Sequence, residues 1–276
     1  MSGLHPDLKQ LFEKVTQKSD KVDAYFSIYQ SLFEQYRNKP NLVFVEVGVK
    51  NGGSLSMWRE FFGPSARIIG IDYNPSAAGM REQGFEIYVA DQSSSEFWER
   101  FFREVGPIDV LLDDGGHTNK QQIVTVECAL DHVKDGGLIL VEDTHTSYMK
   151  SYGNPSGYSF MNYAKLAADK IQVRAYPFKM QPPNRFSKVV HSIAFFESMV
   201  AFSINRGLCG ESNLVHSGKK GLATPALEGS VISVSRGNPV RAFLRMLGLG
   251  AVKRKLNPAI GRLHLFLENQ ALRKYF

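Results

Sequence analysis

The chain has 276 residues, of which 43% are hydrophobic and 22% charged, a composition that excludes a wholly disordered chain. Its length suits one large domain with extensions better than two small domains. The only cysteines, Cys128 and Cys209, exclude a disulfide framework and a thiolate metal cluster, and they are typical of a reducing compartment. Neither a secretory signal nor a membrane-spanning apolar run is visible, so we expect a cytoplasmic protein.

The net charge of +6 is concentrated near the C-terminus. From Arg236 to Phe276 there are nine lysines and arginines and one acidic residue, whereas the preceding residues carry 24 basic and 26 acidic groups. Such a basic stretch is either a solvated extension or a patch for peripheral contact with anionic membrane lipids. No nucleic-acid recognition motif accompanies the charge, so we expect no nucleic-acid partner.

Helical and strand-like patterns alternate along the chain. Apolar spacing from about Asp7 to Arg37 predicts helices that cover a core, and the run Leu42 to Val47 predicts the first strand. Further strand-like runs cover residues 67–72, 85–90, 108–113 and 138–141. Between the last two, apolar spacing over 119–133 and a capping box of Thr118 with Gln121 predict a helix that begins directly after His117. This alternation predicts an α/β fold with a mostly parallel sheet.

The chain after residue 141 shows two further features. The runs 189–196 and 199–204 flank Glu197-Ser198, which predicts a terminal antiparallel hairpin. Residues 148–157, rich in Gly, Ser, Asn, Pro and Tyr, predict a mobile loop. We therefore divide the chain into an N-terminal helical cover (1–40), an α/β core (41–206) and a basic C-terminal extension (207–276).

Two strand-like runs stop at acidic residues. Asp113 and Asp114 precede Gly-Gly-His117, and Glu142-Asp143 follows the next strand. Side chains at the carboxyl ends of adjacent parallel strands converge on one crevice, and oxygen ligands without a nearby cysteine suit Mg²⁺. Either acidic pair alone could simply cap a turn. Both pairs together favour a metal-assisted site for proton abstraction.

A glycine-containing loop follows the first strand. Lys50 occupies the position of the second glycine of a G-x-G-x-x-G fingerprint, which disfavours a pyrophosphate ligand and favours a nucleoside without one. Asp72, at the end of the second strand, could accept hydrogen bonds from ribose hydroxyls or merely cap a turn. Asp91-Gln92, after the third strand, could meet an adenine amino group.

This combination resembles the class I S-adenosylmethionine-dependent methyltransferases over roughly residues 42–205. Within that group, the chain is more similar to the metal-dependent sugar and macrolide O-methyltransferases and to relatives labelled cephalosporin hydroxylases. This closer similarity rests on the DDGGH stretch at 113–117 and on the Glu142-Asp143 pair. The resemblance implies a three-layer Rossmann-like sheet ending in an antiparallel hairpin. It implies cofactor contacts by Glu46, Gly48, Asn51, Gly52, Ser54, Asp72, Asp91, Gln92 and Asp113. It also implies metal ligation by Asp114, Glu142 and Asp143, with His117 as general base.

The resulting hypothesis is a Mg²⁺-dependent O-methyltransferase that methylates a sugar hydroxyl of a natural-product glycoside or a cell-surface glycan. His117 would remove the proton, since histidine titrates near neutral pH, and the oxygen would attack the sulfonium methyl group. Three alternatives stay open: a catechol-like phenolic acceptor, a nicotinamide-dependent sugar-nucleotide oxidoreductase, and a non-catalytic scaffold in glycan assembly. Lys50 argues against the nicotinamide alternative. A small-molecule or glycan acceptor is expected, and the motifs leave a homo-oligomer open.

Overall fold

The computed structural model describes residues 7–152, 157–174, 182–210 and 269–276. Seven strands form one sheet in the order β3-β2-β1-β4-β5-β7-β6. The first five strands are parallel, and β6 and β7 form an antiparallel hairpin that extends the sheet from β5. This arrangement confirms the predicted α/β class and the terminal hairpin. The strands are β1 (Val43–Val47), β2 (Arg67–Asp72), β3 (Glu86–Val89), β4 (Ile108–Asp113), β5 (Val133–Val141), β6 (Val190–Phe196) and β7 (Met199–Ile204).

Helices cover both faces of the sheet and make three layers. One apolar cluster joins the sheet to α1, α2 and α3, and a second joins its other face to the remaining helices. None of the helices in the described ranges is long and apolar enough to cross a membrane. The helices are α1 (Leu8–Glu13), α2 (Tyr25–Phe33), α3 (Gly53–Phe62), α4 (Ser95–Val105), α5 (Asn119–Ala129), α6 (Phe160–Ile171) and α7 (Arg185–Val189).

The two central strands are almost wholly buried and send successive side chains to opposite faces. Phe44 packs in the cluster that contains Trp58 of α3, whereas its neighbour Val45 belongs to the cluster that contains Trp98 of α4. Strands buried on both faces read as continuous apolar runs, which is how β1 and β4 appear in the sequence. Their burial fixes the carboxyl ends that carry the candidate site.

Two predicted boundaries are wrong around α5 and β5. The helix ends at Ala129 rather than at Val133, and Val133 instead begins β5, paired with Ile108. The strand is therefore longer than the predicted 138–141. Gly136 has a φ of +80°, and the register with β4 shifts between Ile108 and Val110, so the glycines interrupt the apolar pattern of a continuous strand. Leu130 is the C-cap of α5 and keeps helical dihedral angles, so only the apolar position of Val133 matches a helical period by coincidence.

Several predicted features fall partly outside the described residues. The predicted loop 148–157 starts at the last residue of a 3-10 turn (Thr144–Tyr148) and contains a second such turn (Lys150–Tyr152), and its residues 153–156 lie outside the described ranges. Residues 211–268, which carry most of the basic stretch, lie outside them as well. The division into segments 1–40, 41–206 and 207–276 therefore stays a prediction.

The last eight residues pack against the core. Leu272 is 2% exposed and joins the cluster around α4, α5 and α6, and the ring of Phe276 contacts Tyr158 and Tyr163. Lys170 on α6 also donates to the carbonyl of Tyr275 at 3.3 Å. The end of the basic extension is therefore part of the folded core.

We expect Leu272→Ala to lower the free energy of unfolding by about 3 kcal/mol, because it removes a fully buried leucine side chain and leaves a cavity. Leu208, which is 60% exposed, provides the matched control. Leu208→Ala should change stability by less than about 0.5 kcal/mol. Urea denaturation followed by circular dichroism measures both variants, and equal effects would show that residue 272 contributes nothing to the core.

Candidate active site

A cavity of about 500 Å³ opens at the carboxyl ends of β1, β2 and β4. Seven of the predicted site residues line it: Gly48, Ser54, Asp72, Gln92, Asp114, His117 and Asp143. The other six lie outside the set of lining residues: Glu46, Asn51, Gly52, Asp91, Asp113 and Glu142. The sheet register explains the convergence, because Val47 pairs with Asp113, and Asp113 pairs with Val141 on the opposite side.

The glycine loop approaches the end of β4 very closely. Gly48 has a φ of +94°, and a Cβ there would lie 1.9 Å from the carbonyl oxygen of Asp114. Only glycine fits this position without moving backbone atoms. A Cβ at Gly115 would similarly lie 2.0 Å from the side-chain oxygen of Gln92. The glycines in both motifs therefore allow two loops to meet at the cavity wall.

Asp72 holds the glycine loop in place. Its Oδ2 accepts hydrogen bonds from the backbone N–H groups of Val49 (2.8 Å) and Lys50 (2.9 Å), and its Oδ1 accepts from Asn74 N (2.7 Å). A carboxylate offers about four lone-pair positions, so three of them are engaged by backbone. Asp72 combines the turn-capping role with a position in the cavity wall. Asp91 is engaged locally, accepting from the backbone and hydroxyl of Ser93.

Gln92 and Asp113 form a buried polar network behind the cavity. The Gln92 amide donates to Asp113 Oδ1 (2.9 Å) and to Thr125 Oγ1 (3.1 Å), and its oxygen accepts from Gly116 N (2.8 Å). Asp113 Oδ2 is buried and meets no hydrogen-bond partner among the described residues. Burial raises the pKa of Asp113. This network supports the β4 loop from behind.

Glu46 is buried at the base of the glycine loop. Its carboxylate accepts from Ser54 Oγ at 2.8 Å and from the Trp58 indole N–H at 3.1 Å. Burial raises the pKa of Glu46 to about 7, although Lys21 and these two hydrogen bonds oppose the shift. Glu46 therefore orients α3, and Ser54 carries the contact to the cavity wall.

Asp114, His117 and Asp143 form a three-residue cluster that faces the cavity. One ligand atom from each lies within 4.8 Å of the others. His117 Nε2 lies 3.4 Å from Asp143 Oδ2 and 3.9 Å from Asp114 Oδ1. His117 and Asp143 both have left-handed backbone conformations, with φ of +58° and +53°. Such conformations are rare for residues other than glycine and occur at functional sites.

Thr146 holds both left-handed residues. Its hydroxyl lies 2.9 Å from the carbonyl oxygen of His117 and 2.8 Å from that of Asp143, and its N–H donates to Asp143 O at 3.0 Å. The predicted capping box at Thr118 and Gln121 is present and fixes the chain directly after His117. His145 Nδ1 lies 2.5 Å from Ser198 Oγ and 4.0 Å from Asp143 Oδ1, and His145 does not line the cavity.

Glu142 lies deeper and pairs with the N-terminal segment. It is 1% exposed and accepts a hydrogen bond from Tyr29 on α2. Lys21 Nζ lies 3.2 and 3.1 Å from its two oxygens and 2.6 Å from Asp114 Oδ2. Burial by itself would lower the pKa of Lys21, but the carboxylates of Asp114 and Glu142 raise it by more. The pKa of Lys21 therefore lies well above its ordinary value, and the ammonium stays charged. Tyr25 completes the shell, donating to Asp143 at 2.5 Å.

Sequence reasoning missed four of these residues: Lys21, Tyr25, Tyr29 and Thr146. Tyr25 and Tyr29 are four residues apart on α2, so a pair of hydroxyl groups on one helical face was the available signal. Lys21 lies in the linker between α1 and α2, where the sequence shows no periodic pattern. Its contacts span 93 and 121 residues of sequence, which no local pattern reveals.

The donor chemistry fits a hard divalent cation. Asp114 and Asp143 present carboxylate oxygens to the cavity, and the Lys21 ammonium already occupies a cation position on Asp114 and Glu142. The cavity also falls within the size range of small-molecule sites. The close approach at Gly48 and the three backbone hydrogen bonds of Asp72 make the glycine loop a fixed wall of the cavity.

Comparison with known proteins identifies a family for part of this chain. Residues 45–144 match a family described as methyltransferase domain. This segment is a methyltransferase domain. The chain is 32% identical over 216 residues to mycinamicin VI 2''-O-methyltransferase from Micromonospora griseorubida, covering 70% of this chain and 52% of that protein. It is also 34% identical over 133 residues to a tetracenomycin-C 3'-O-methyltransferase acting on a methoxy-rhamnosyl compound, from Streptomyces olivaceus, covering 46% and 33%.

A solved structure shares the fold. The MycE methyltransferase of the mycinamycin pathway, in complex with Mg, SAH and mycinamycin VI, aligns with a TM-score of 0.66 and 27% identity. The alignment covers 74% of this chain and 54% of that one. The predicted resemblance and the predicted Rossmann-like methyltransferase fold are confirmed. The chain spans about half the length of the first curated relative and of MycE.

The raised pKa of Glu46 predicts a pH-dependent stability. The folded chain holds this proton more tightly than the unfolded chain, whose glutamate pKa is near 4.5, so stability falls as pH rises through the window from 4.5 to 7. The wild type should therefore lose roughly 2 kcal/mol between pH 5 and pH 7 relative to Glu46→Gln. Urea unfolding of both proteins at the two pH values measures the difference, and parallel pH profiles would contradict the shift.

Proposed function

We propose that this chain is a Mg²⁺-dependent O-methyltransferase that uses S-adenosylmethionine to methylate a hydroxyl of a sugar. The observation that carries the proposal is the cluster of Asp114, His117 and Asp143 beside the cavity of the glycine loop. Support comes from the relatives, which are named as a mycinamicin VI 2''-O-methyltransferase and a (2-methoxy-α-L-rhamnosyl)-tetracenomycin-C 3'-O-methyltransferase, and from MycE, whose complex holds Mg and SAH. SAH, S-adenosylhomocysteine, is the product that S-adenosylmethionine leaves after methyl transfer.

The methyl donor would occupy the cavity beside the glycine loop. Gly48 and Ser54 would form its wall, Asp72 would offer its remaining lone pair to the ribose, and Gln92 would line the adenine side. The other predicted cofactor residues would act indirectly, by holding the glycine loop and the neighbouring strand ends in place; these are Glu46, Asn51, Gly52, Asp91 and Asp113. Bound there, S-adenosylmethionine supplies an electrophilic methyl group on a sulfonium.

Asp114, Asp143 and Glu142 would hold the divalent cation. When bound, the cation supplies electrostatic stabilisation for a hydroxyl that is losing its proton. His117 would accept that proton on Nε2, the ring nitrogen that faces Asp114 and Asp143. The hydroxyl oxygen forms a bond to the methyl carbon as the sulfur–carbon bond breaks, which leaves a methyl ether and S-adenosylhomocysteine. The protein contributes orientation of the two reactants and exclusion of water.

The acceptor is a small molecule or a glycan, and nucleic acid is not expected as a partner. Peripheral membrane contact would come from the basic stretch after Arg236, in a cytoplasmic setting. A homo-oligomer is compatible with these roles.

Methyl transfer to glycosides should require a divalent cation. With labelled S-adenosylmethionine and glycosides that carry neighbouring free hydroxyls, mycinamycin VI among them, chelation should reduce transfer by roughly a hundredfold or more, and added Mg²⁺ should restore it. Undiminished transfer after chelation would contradict the metal role. Transfer to catechols but to none of the glycosides would favour the phenolic alternative.

His117→Ala should bind the cofactor product with unchanged affinity but lose turnover by roughly a hundredfold or more, because general-base catalysis contributes about that much. Calorimetric titration with S-adenosylhomocysteine separates the loss of catalysis from a loss of binding. His145→Ala is the matched control, since this nearby imidazole points to Ser198, and it should keep turnover within a few-fold. Near-normal turnover in the His117 variant would remove it as the base.

A further inference from the structure

The linker between α1 and α2 inserts one lysine into the acidic end of the sheet. The side chain of Lys21 is 3% exposed, and its Nζ lies 2.6 Å from Asp114 Oδ2, 3.1 Å from Glu142 Oε2 and 3.9 Å from Glu46 Oε1. A buried lysine is stable only when it is paired, and this ammonium faces carboxyl groups at the ends of three different strands. Lys21 is therefore the internal counterion of the site.

The Lys21 ammonium also contacts the carboxylate oxygens that would ligate a divalent cation. Both oxygens of Glu142 face its ammonium, and one of them accepts from Tyr29 as well. Magnesium binds carboxylate oxygens at about 2.1 Å, well inside the space that the ammonium fills. Two cations at that separation repel strongly in a buried site. Glu142 can ligate a cation only if Lys21 withdraws.

The linker that carries Lys21 contacts the glycine loop through side chains. Asp20 forms a 3.0 Å ion pair with Lys50, and the carbonyl of Lys18 accepts from the Asn51 side chain at 3.3 Å. Ser19 and Asp20 line the same cavity as Gly48. Withdrawal of Lys21 would therefore alter a wall of the cofactor cavity, which connects the two halves of the site.

We propose that Lys21 is a built-in cation that occupies the divalent-cation position on Asp114 and Glu142, and that metal binding displaces it and releases the linker around residues 18–21. The inference rests on the proposed metal role of these carboxylates. It differs from an arrangement in which the metal binds Asp114, His117 and Asp143 while Lys21 stays on Glu142. The two arrangements make opposite predictions for the accessibility of the Lys21 amine.

Amine labelling of the wild-type 276-residue chain tests the displacement. An N-hydroxysuccinimide ester followed by mass spectrometry should leave Lys21 largely unmodified without metal, and saturating Mg²⁺ should raise its labelled fraction several-fold. Lys39 and Lys134, which pair with Asp109 at the opposite end of the sheet, are internal controls and should not respond. Continued protection of Lys21 at a Mg²⁺ concentration that calorimetry shows to be saturating would overturn the displacement and leave the metal role intact.

Lys21→Met supplies a second measurement by removing the competing charge. Its Mg²⁺ affinity should rise by at least about tenfold over wild type, because the metal no longer has to displace an ammonium. Thermal unfolding should occur at a lower temperature without metal and should respond more to Mg²⁺ than in wild type. Lys9→Met, which removes an exposed ion pair with Asp23 on the same segment, is the matched control and should bind Mg²⁺ as wild type does.

The possible failures are distinguishable. Equal Mg²⁺ affinity in wild type and Lys21→Met would overturn the competition alone. Absence of Mg²⁺ binding in both would overturn the proposed metal role together with it. If Lys21→Met does not fold without metal, the labelling of wild-type Lys21 still decides the question.

Discussion

The acidic side chains at the carboxyl ends of the parallel strands need compensating positive charge or hydrogen-bond donors, and the rest of the structure depends on this constraint. Glu46, Asp114, Glu142 and Asp143 lie at the ends of three strands, and two of them, Glu46 and Glu142, are fully buried. Carboxylates removed from water need compensating charge or hydrogen-bond donors. Here the compensation comes from the N-terminal segment, through the ammonium of Lys21 and the hydroxyl groups of Tyr25 and Tyr29.

The N-terminal helices are therefore part of the site as well as a cover for the core. Tyr29 is fully buried and packs against Trp58, so the residue that donates to Glu142 is fixed by the same aromatic cluster that seals the sheet. Trp58 in turn donates to Glu46 at the base of the glycine loop. Packing energy and site geometry are coupled through these two rings, and a change in either ring is expected to disturb both.

The sequence predicted the parts of the site that follow from strand order. Parallel pairing of β1, β4 and β5 brings the glycine loop, Asp114 and the Glu142-Asp143 pair to one edge, and a strand-end acid is visible in any single sequence. Lys21 was not predictable, because its partners lie 93 and 121 residues away and its own segment has no apolar period. The predicted helix end at Val133 was wrong because the local pattern is ambiguous. An apolar residue at helical spacing also fits the first residue of a strand.

The geometry of the catalytic candidates depends on backbone that is unfavourable by itself. His117 and Asp143 each adopt a left-handed conformation, which costs on the order of 1 kcal/mol for a residue other than glycine. Both carbonyl groups lie within hydrogen-bond distance of the single hydroxyl of Thr146, so one buried side chain ties the β4 loop to the β5 loop. This link sets the 3.4 Å separation between His117 Nε2 and Asp143 Oδ2. The proposed base and its neighbouring carboxylate share one backbone anchor, so they would need little reorganisation when a proton moves, which is the property that the proposed acid–base chemistry requires.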